Sequence, residues 1–214
     1  HDANGFPGGL DSPLLDLLNA RYVVIPADPP PDRADFRWLI EHFTERYRDG
    51  EVRVLENPEA LPRAWIVHDV RQVAPGEALS LLADGTVDPR VTALVEGVPP
   101  AVSAAIDPSG ETVDIVEHEP DRIRARVETD AAGMLVFSEV FDPGWRAFVD
   151  GVSVPVQLVN HVLRGIPLAA GSHEIELRYQ TPALLLGLAI TGMTVAVLFA
   201  VGVILRFDPP RRGL

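Results

Sequence analysis

The sequence predicts an α+β, mainly β, fold in which an antiparallel β-sandwich with short helical insertions follows a small N-terminal α/β subdomain and precedes one transmembrane helix. Three observations support this prediction. Apolar residues recur at helical spacing in parts of the first hundred residues, they alternate with polar residues after Thr112, and an uncharged run extends from Ala183 to Leu205. A period of two is typical of half-buried strands, and a long uncharged run is typical of a membrane span.

Residues 1–60 are predicted to form the α/β subdomain. Ser12, followed by Pro13, begins a short Leu-rich helix, and the β-branched run Arg21–Ile25 reads as a strand. A second helix is predicted over Asp35–Arg48, and a strand over Glu51–Leu55. The buried face of that helix comprises Phe36, Leu39, Ile40, Phe43 and Tyr47.

Residues 61–182 are predicted to form the sandwich. A strand is expected at 62–70, and the segment at about 75–97 is predicted to be an insertion of two short helices, the second beginning at Asp88 and Pro89 and ending at Gly97. Six or more short strands follow, separated by turn signals, of which Asp150-Gly151 is the strongest hairpin candidate and Ala170-Gly171-Ser172 is another.

Residues 183–205 are predicted to cross a membrane. As a helix they would be about 34 Å long, which exceeds a hydrocarbon core of about 30 Å. Thirteen of these positions are Leu, Ile, Val or Phe, and none is charged. The alternative to a membrane span is a wholly buried helix of a soluble protein. Three Arg residues in the tail 206–214 favour a cytoplasmic C-terminus, so residues 1–182 are expected to be extracytoplasmic.

Composition excludes several classes of function. Before residue 206 there are 15 Arg and 30 acidic residues, a net charge of −15, which argues against nucleic acid as a partner. The chain has no cysteine, so disulfides and thiolate metal sites are ruled out. It begins at His1 without a basic, apolar leader, and we expect it to be a piece of a longer protein whose missing N-terminal part carries residues 1–182 across the membrane.

No cofactor or metal site is predicted. There is no HExxH, no pair of His four residues apart on one helix, and no GxSxG, Walker A or GxGxxG motif. The segment Glu117-His118-Glu119 would place at most its two Glu side chains on one face of a strand, so a solvated strand edge is the expected interpretation. No pair of carboxylates stands out from the acidic background.

The most distinctive local motif is Asp142-Pro-Gly-Trp145, a tight turn that presents an acid beside a large aromatic ring. Asn160, His161 and Arg164 lie on a neighbouring predicted hairpin. Together these five residues are a candidate sugar-contact patch, because an aromatic face stacks on a sugar ring while polar groups bind its hydroxyls. The alternative, which we favour, is that Trp145 is a core plug that closes one end of the sandwich.

Small residues form a stripe on the predicted span. Gly192, Ala196 and Ala200 follow one another at intervals of four, and Gly187 with Thr191 adds a parallel pair. Such residues let another helix approach closely in lipid, so the remaining transmembrane helices of a parent protein are the expected partners. The alternative is chance in a segment rich in Ala and Gly.

The order of several motifs resembles the C-terminal end of the YfhO family of bacterial multi-spanning membrane proteins. The matching pieces are Ser12-Pro-Leu-Leu-Asp-Leu-Leu-Asn-Ala-Arg-Tyr-Val-Val24, Leu61-Pro-Arg-Ala64, Phe141-Asp-Pro-Gly-Trp-Arg-Ala-Phe-Val-Asp-Gly151 and Gly171-Ser-His-Glu-Ile-Glu-Leu-Arg-Tyr179. The resemblance implies a bacterial plasma-membrane glycosyltransferase that moves a sugar from a polyprenyl-phosphate carrier to a cell-envelope glycopolymer. No catalytic residue carries over, because the loop that holds the catalytic acids of such enzymes has no counterpart here.

Two hypotheses for function follow. The first is that the chain is the extracytoplasmic domain and last span of a YfhO-like membrane glycosyltransferase, itself non-catalytic, with polyprenyl-phosphate sugar and envelope polysaccharide as partners of the parent protein. The second is a membrane-anchored extracytoplasmic module that binds carbohydrate or protein without enzymatic activity. The number of spans encoded upstream distinguishes them.

Overall fold

The computed structural model of the protein describes residues 10, 12–103 and 110–207. Contacts divide the chain into two compact units, His1–Arg178 and Tyr179–Leu214. The first unit contains the predicted subdomain and sandwich, and the second contains the predicted span. The mainly β fold class predicted from the sequence is confirmed.

The structure has four helices and fourteen strands among the described residues. The helices are α1 Leu14–Leu17, α2 Ala34–His42, α3 Glu77–Ala83 and α4 Pro182–Phe207. The strands are β1 Tyr22–Pro26, β2 Thr44–Arg48, β3 Val52–Glu56, β4 Ala64–Val67, β5 Asp69–Gln72, β6 Thr92–Val95, β7 Thr112–Glu119, β8 Arg122–Thr129, β9 Gly133–Val140, β10 Trp145–Val149, β11 Val152–Val154, β12 Gln157–Val159, β13 Leu163–Leu168 and β14 Gly171–Tyr179.

The N-terminal subdomain is a three-stranded sheet in the order β1-β3-β2, packed against α2. Its small core consists of Ile25, Leu39, Phe43 and Leu55. The predicted second helix is too long, because α2 ends at His42 and the segment that contains Tyr47 is strand β2. Phe43 already has extended backbone angles, and β2 then pairs antiparallel with β3, which satisfies the backbone groups that a longer helix would have used.

Two sheets form the sandwich. One has five strands in the order β11-β10-β14-β8-β7, and the other has six in the order β4-β9-β13-β12-β6-β5. An apolar core lies between them, and its buried members are Ala64, Ile123, Ala125, Val127, Leu135, Phe137, Trp145, Ala147, Ile166, Leu168, Ile175 and Leu177. Apolar and polar residues alternate in β8 and β14, as predicted, because one face of each strand points into this core.

The six-stranded sheet is buried on its second face as well. There α1 and α3 cover a second apolar core that includes Leu17, Trp65, Leu82 and Met134. The predicted helix at 88–97 is wrong, because Thr92–Val95 is strand β6, which pairs in parallel with β5 and has all four residues buried. A short apolar run without alternation fits a buried strand as well as a buried helix, and here burial on both faces decided the outcome.

The predicted hairpin at Asp150-Gly151 is confirmed. Asp150 and Gly151 have φ angles of 52° and 79°, the left-handed pair that a two-residue turn requires, and they join β10 to β11. The second turn signal differs from the expectation of a hairpin. Ala169 and Ala170 join β13 to β14, which begins at Gly171, and these two strands belong to different sheets, so this turn carries the chain across the sandwich.

Helix α4 extends the predicted span slightly at both ends. It has 26 residues, and the window Gly187–Ile204 has a mean hydropathy of 2.3 with none of its surface buried in the structure. At 1.5 Å per residue the helix is about 39 Å long, enough to cross a bilayer core. Among the described residues it is the one helix long and apolar enough to do so.

Candidate functional site

The Asp142-Pro-Gly-Trp145 turn places Trp145 at the first position of β10. The Asp142 carboxylate accepts a hydrogen bond from the Gly144 N–H at 2.7 Å, and the Asp142 carbonyl accepts one from the Trp145 N–H at 3.1 Å. This geometry turns the indole inward, where only 8% of the residue remains exposed among the side chains between the two sheets. Trp145 is a core residue at one end of the sandwich.

Arg164 lies against this ring. Its guanidinium carbon is 4.0 Å from the centroid of Trp145, its Nε donates to the Val140 carbonyl at 2.9 Å, and its Nη1 donates to Glu139 at 3.1 Å. Arg164 is 6% exposed. Burial lowers the pKa of its guanidinium, while the carboxylates of Glu139 and Asp142 oppose that shift. Because an arginine stays protonated in proteins, the site holds a permanent buried cation.

Glu139 connects this cation to two further basic side chains. Its carboxylate contacts Nη1 of Arg63 at 3.3 Å and Nε2 of His118 at 2.5 Å, in addition to Arg164. We call Arg63, His118, Glu139 and Arg164 the Glu139 cluster. His118 lies on β7 of the five-stranded sheet, whereas Glu139 and Arg164 lie on the six-stranded sheet, so the cluster joins the two sheets beside the Trp145 plug.

The segment Glu117-His118-Glu119 lies on β7, an edge strand, as expected. Its side chains diverge. Glu117 pairs with Arg122 and Arg124 at 3.8 and 3.7 Å, whereas His118 reaches Glu139. Within the part of the chain that the structure describes, no three His, Asp or Glu side chains are grouped so that they could hold a metal ion.

Asn160 is placed differently from the predicted patch. It is fully buried in the turn between β12 and β13 with φ of 49°, and it binds Leu94 of β6 twice. Its N–H donates to the Leu94 carbonyl and its Oδ1 accepts from the Leu94 N–H, both at 2.8 Å. The adjacent His161, with φ of 71°, is exposed. The structure thus brings Asp142, Trp145 and Arg164 together, while the Asn160 side chain faces strand β6.

Sequence reasoning missed Glu139, Arg63 and His118 as members of this site. Glu139 is one acid among many, and nothing in its local sequence marks it. Arg63 and His118 come from two other strands, and their approach depends on strand order and register, which the alternating pattern alone does not specify.

The small residues of α4 lie on the predicted helix. At 100° per residue, Gly192, Ala196 and Ala200 span about 80° of the helix surface. Gly187 and Thr191 lie about 160° away from them, on nearly the opposite side, so the five residues do not form one stripe. All five are exposed in the structure. A side chain added at Gly187 or Gly192 would meet no atom within 4 Å among the described residues.

Comparison with known proteins gives one match. Residues 92–191 match the family described as bacterial membrane protein YfhO, which confirms the resemblance seen in the sequence over that range. The matched range runs from β6 through the sandwich strands into α4. No curated protein and no solved structure matches the chain. Together with the apolar helix α4, this match supports a role at a membrane.

Proposed function

We propose that this chain, whose residues 92–191 match the YfhO family, is the extracytoplasmic β-rich domain and last span of a membrane glycosyltransferase. The parent enzyme would take a sugar from a polyprenyl-phosphate carrier and place it on a cell-envelope glycopolymer. The part described here would cover or shape the acceptor side of an active site built from other parts of that enzyme, and it would be non-catalytic alone.

The observation that carries this proposal is the continuity of the matched region. It includes most of the sandwich and α4 as far as Thr191, and only Gln180 and Thr181 lie between the last strand and the helix. A short covalent connection between a domain and a span is typical of proteins that work at a membrane. A polyprenyl-phosphate donor presents its sugar at the membrane surface, which supports a role for this domain on the acceptor side.

Charge supports an extracytoplasmic position for residues 1–182. Arg206 lies in the last turn of α4, and two more Arg residues follow it. Basic residues beside a span favour the cytoplasmic side. The net charge of −15 on the preceding part also disfavours docking onto anionic headgroups of the cytoplasmic leaflet.

The predicted sugar-contact patch remains part of the proposal in a narrower form. His161 is exposed and Asp142 is half-buried, so these two side chains are able to touch a glycan. Trp145, Asn160 and Arg164 are buried and would support the patch by holding its two turns in place. The charges of the Glu139 cluster are already paired with one another, which favours a structural role for that cluster.

A transfer assay tests the proposal. The purified parent protein should move a radiolabelled sugar from a polyprenyl-phosphate donor to envelope glycopolymer, whereas residues 1–214 in detergent should show no transfer. Asp142→Asn and His161→Gly in the parent should reduce acceptor use without lowering the melting temperature, because Gly tolerates the φ of 71° at residue 161. Transfer by residues 1–214 alone would overturn the non-catalytic role. A parent that carries a single signal sequence in place of many spans would favour the membrane-anchored binding module.

A further inference from the structure

A cleft of about 380 Å³ opens in the N-terminal part of the molecule, and no member of the Glu139 cluster lines it. Its walls come from α1, from the C-terminal end of α2 and from the segment after β3. We propose that this cleft is a glycan-binding site for one or two sugar residues. This site goes beyond the proposed transferase role, because it would bind a sugar without catalysing its transfer.

One wall of the cleft is aromatic. Trp38 and His42, one helical turn apart on α2, stack with ring centroids 4.3 Å apart and an interplanar angle of 15°. Phe43 meets Trp38 edge to face at 5.8 Å. The His42 ring is fixed by a hydrogen bond between its Nδ1 and the Trp38 carbonyl at 2.8 Å. A rigid aromatic wall of this kind is suited to the apolar C–H face of a sugar ring.

The opposite side of the cleft is polar and held in place. The Nδ2 of Asn57 donates to Asp16 Oδ1 at 2.7 Å, and Asn57 Oδ1 accepts from the Glu59 N–H at 3.0 Å. Asn57 is only 3% exposed, so it orients both neighbouring acids. The Glu59 carboxylate also accepts from Arg90 through Oε2 at 3.0 Å. Each carboxylate therefore uses one oxygen in these bonds and keeps the other as an acceptor.

Donors lie beside these acceptors. The Ser12 hydroxyl accepts from the Leu14 N–H at 3.3 Å, which leaves its own proton to donate. The Asn57 amide has a second hydrogen beyond the one used for Asp16. A sugar hydroxyl both donates and accepts, so a mixture of donors and acceptors fits a glycan. A cation would need acceptors alone, and the two carboxylates disfavour an anion.

The size of the cleft agrees with this ligand class. Pockets that bind drug-sized molecules hold roughly 300 to 1,000 Å³. The value of about 380 Å³ is near the lower limit, which suits a monosaccharide or disaccharide unit. In a glycan polymer, one such unit would bind in the cleft while the rest of the polymer stays in solvent.

Binding to residues 1–214 in detergent tests the proposal, with methyl hexopyranosides, lactose, cellobiose and chitobiose as probes. Saturation-transfer NMR should detect at least one of these sugars with a Kd of about 1 mM, an ordinary value for so small an interface. Trp38→Leu, which keeps an apolar side chain but removes the flat ring, should weaken binding at least about tenfold. Asp16→Asn, which keeps the Oδ1 acceptor for Asn57 but replaces the free acceptor, should weaken it about fivefold.

The matched control is Asp114→Asn on β7, an exposed carboxylate outside both the cleft and the predicted sugar-contact patch, which should leave this binding unchanged. Melting temperatures of all three variants report whether any loss is a loss of folding. The proposal is overturned if none of the sugars binds at about 50 mM, or if Asp114→Asn weakens binding while Asp16→Asn does not. Sugar binding without transfer by the parent enzyme would count against the proposed transferase and leave this site intact.

Discussion

Arg164 and Trp145 meet across the sandwich, with the guanidinium 4.0 Å from the ring centroid and both residues more than nine-tenths buried. Arg164 lies on β13 of the six-stranded sheet, and Trp145 begins β10 of the five-stranded sheet. One cation thus closes the apolar core at this end and also neutralises Glu139. A change at Arg164 should therefore alter both the stability of the sandwich and the charge beside the predicted sugar-contact patch.

The Arg164–Glu139 pair should show this coupling in unfolding experiments. Arg164→Met leaves Glu139 with only its more exposed partners, and it should lower the free energy of unfolding by about 2 to 3 kcal/mol. Glu139→Gln should cost about 1 to 2 kcal/mol. Because the two residues share one network, the double variant should lose at least about 0.5 kcal/mol less than the sum. Strict additivity in denaturant titrations would contradict the shared network.

Trp145 should behave as a core residue. Trp145→Ala removes a buried ring from the space between the sheets and should lower the free energy of unfolding by about 3 to 5 kcal/mol. Trp145→Phe keeps most of the ring and should cost clearly less. Both free energies of unfolding are to be measured from the loss of the near-ultraviolet circular dichroism signal as denaturant is added. A loss below about 1 kcal/mol for the Ala variant would contradict the plug and favour an exposed sugar contact.

Asn160 should be required for its backbone angle as well as for its side chain. Asn160→Ala leaves the buried Leu94 N–H without its acceptor and forces Ala into a left-handed conformation, a combined cost of about 2 to 4 kcal/mol. Asn160→Gly loses the same hydrogen bond but tolerates φ of 49°. The Gly variant should therefore be about 1 kcal/mol more stable than the Ala variant in thermal unfolding. Equal stabilities of the Ala and Gly variants would show that the positive φ of residue 160 does not destabilise the Ala variant.

The turn at Asp150 should contribute to acid sensitivity. A hydrogen bond from His173, together with one from the Glu174 N–H, holds the pKa of Asp150 below its ordinary value of 3.8. The folded state thus binds this proton less readily than the unfolded state. The stabilisation is present above the unfolded pKa and is lost as pH falls through the folded pKa.

The melting temperature between about pH 5 and pH 2 should consequently fall less steeply for Asp150→Asn than for the native chain. Asn keeps the oxygen that accepts from Glu174 and tolerates the positive φ of this turn. Asp121→Asn, in the turn between β7 and β8, is the matched control. If the melting temperature of Asp150→Asn falls with pH as steeply as that of the native chain, the Asp150–His173 pair does not stabilise the fold.

Much of the sandwich could be predicted because its pattern is local. In β8 and β14, burial on one face leaves a period of two that is readable without knowledge of neighbours. The errors fall where tertiary contacts override a local pattern. Phe43 and Tyr47 have helical spacing, yet pairing with β3 makes the second a strand residue. Ala93–Val95 is a continuous apolar run without alternation, and only the burial of β6 between two layers selects a strand.

The candidate site was predictable in part for the same reason. The turn at Asp142 and its Trp are adjacent in sequence and could be read together. The contact of Arg164 with Trp145 was only implied by neighbouring hairpins. Glu139 and His118 meet at 2.5 Å because a β7 residue and a β9 residue from different sheets approach one another, and no sequence signal encodes that approach. The cleft beside Trp38 also depends on three separate segments.

The proposed function requires that α4 spans the membrane with the sandwich outside. Residues 1–214 contain no cysteine, so single cysteines introduced here can be labelled without background in a parent protein from which any other cysteine has been removed. A membrane-impermeant maleimide should label Ser153→Cys on β11 in intact cells, and it should label Gly213→Cys only after the membrane is permeabilised. Labelling of Gly213→Cys in intact cells, with Ser153→Cys protected, would contradict this topology and the proposed function with it.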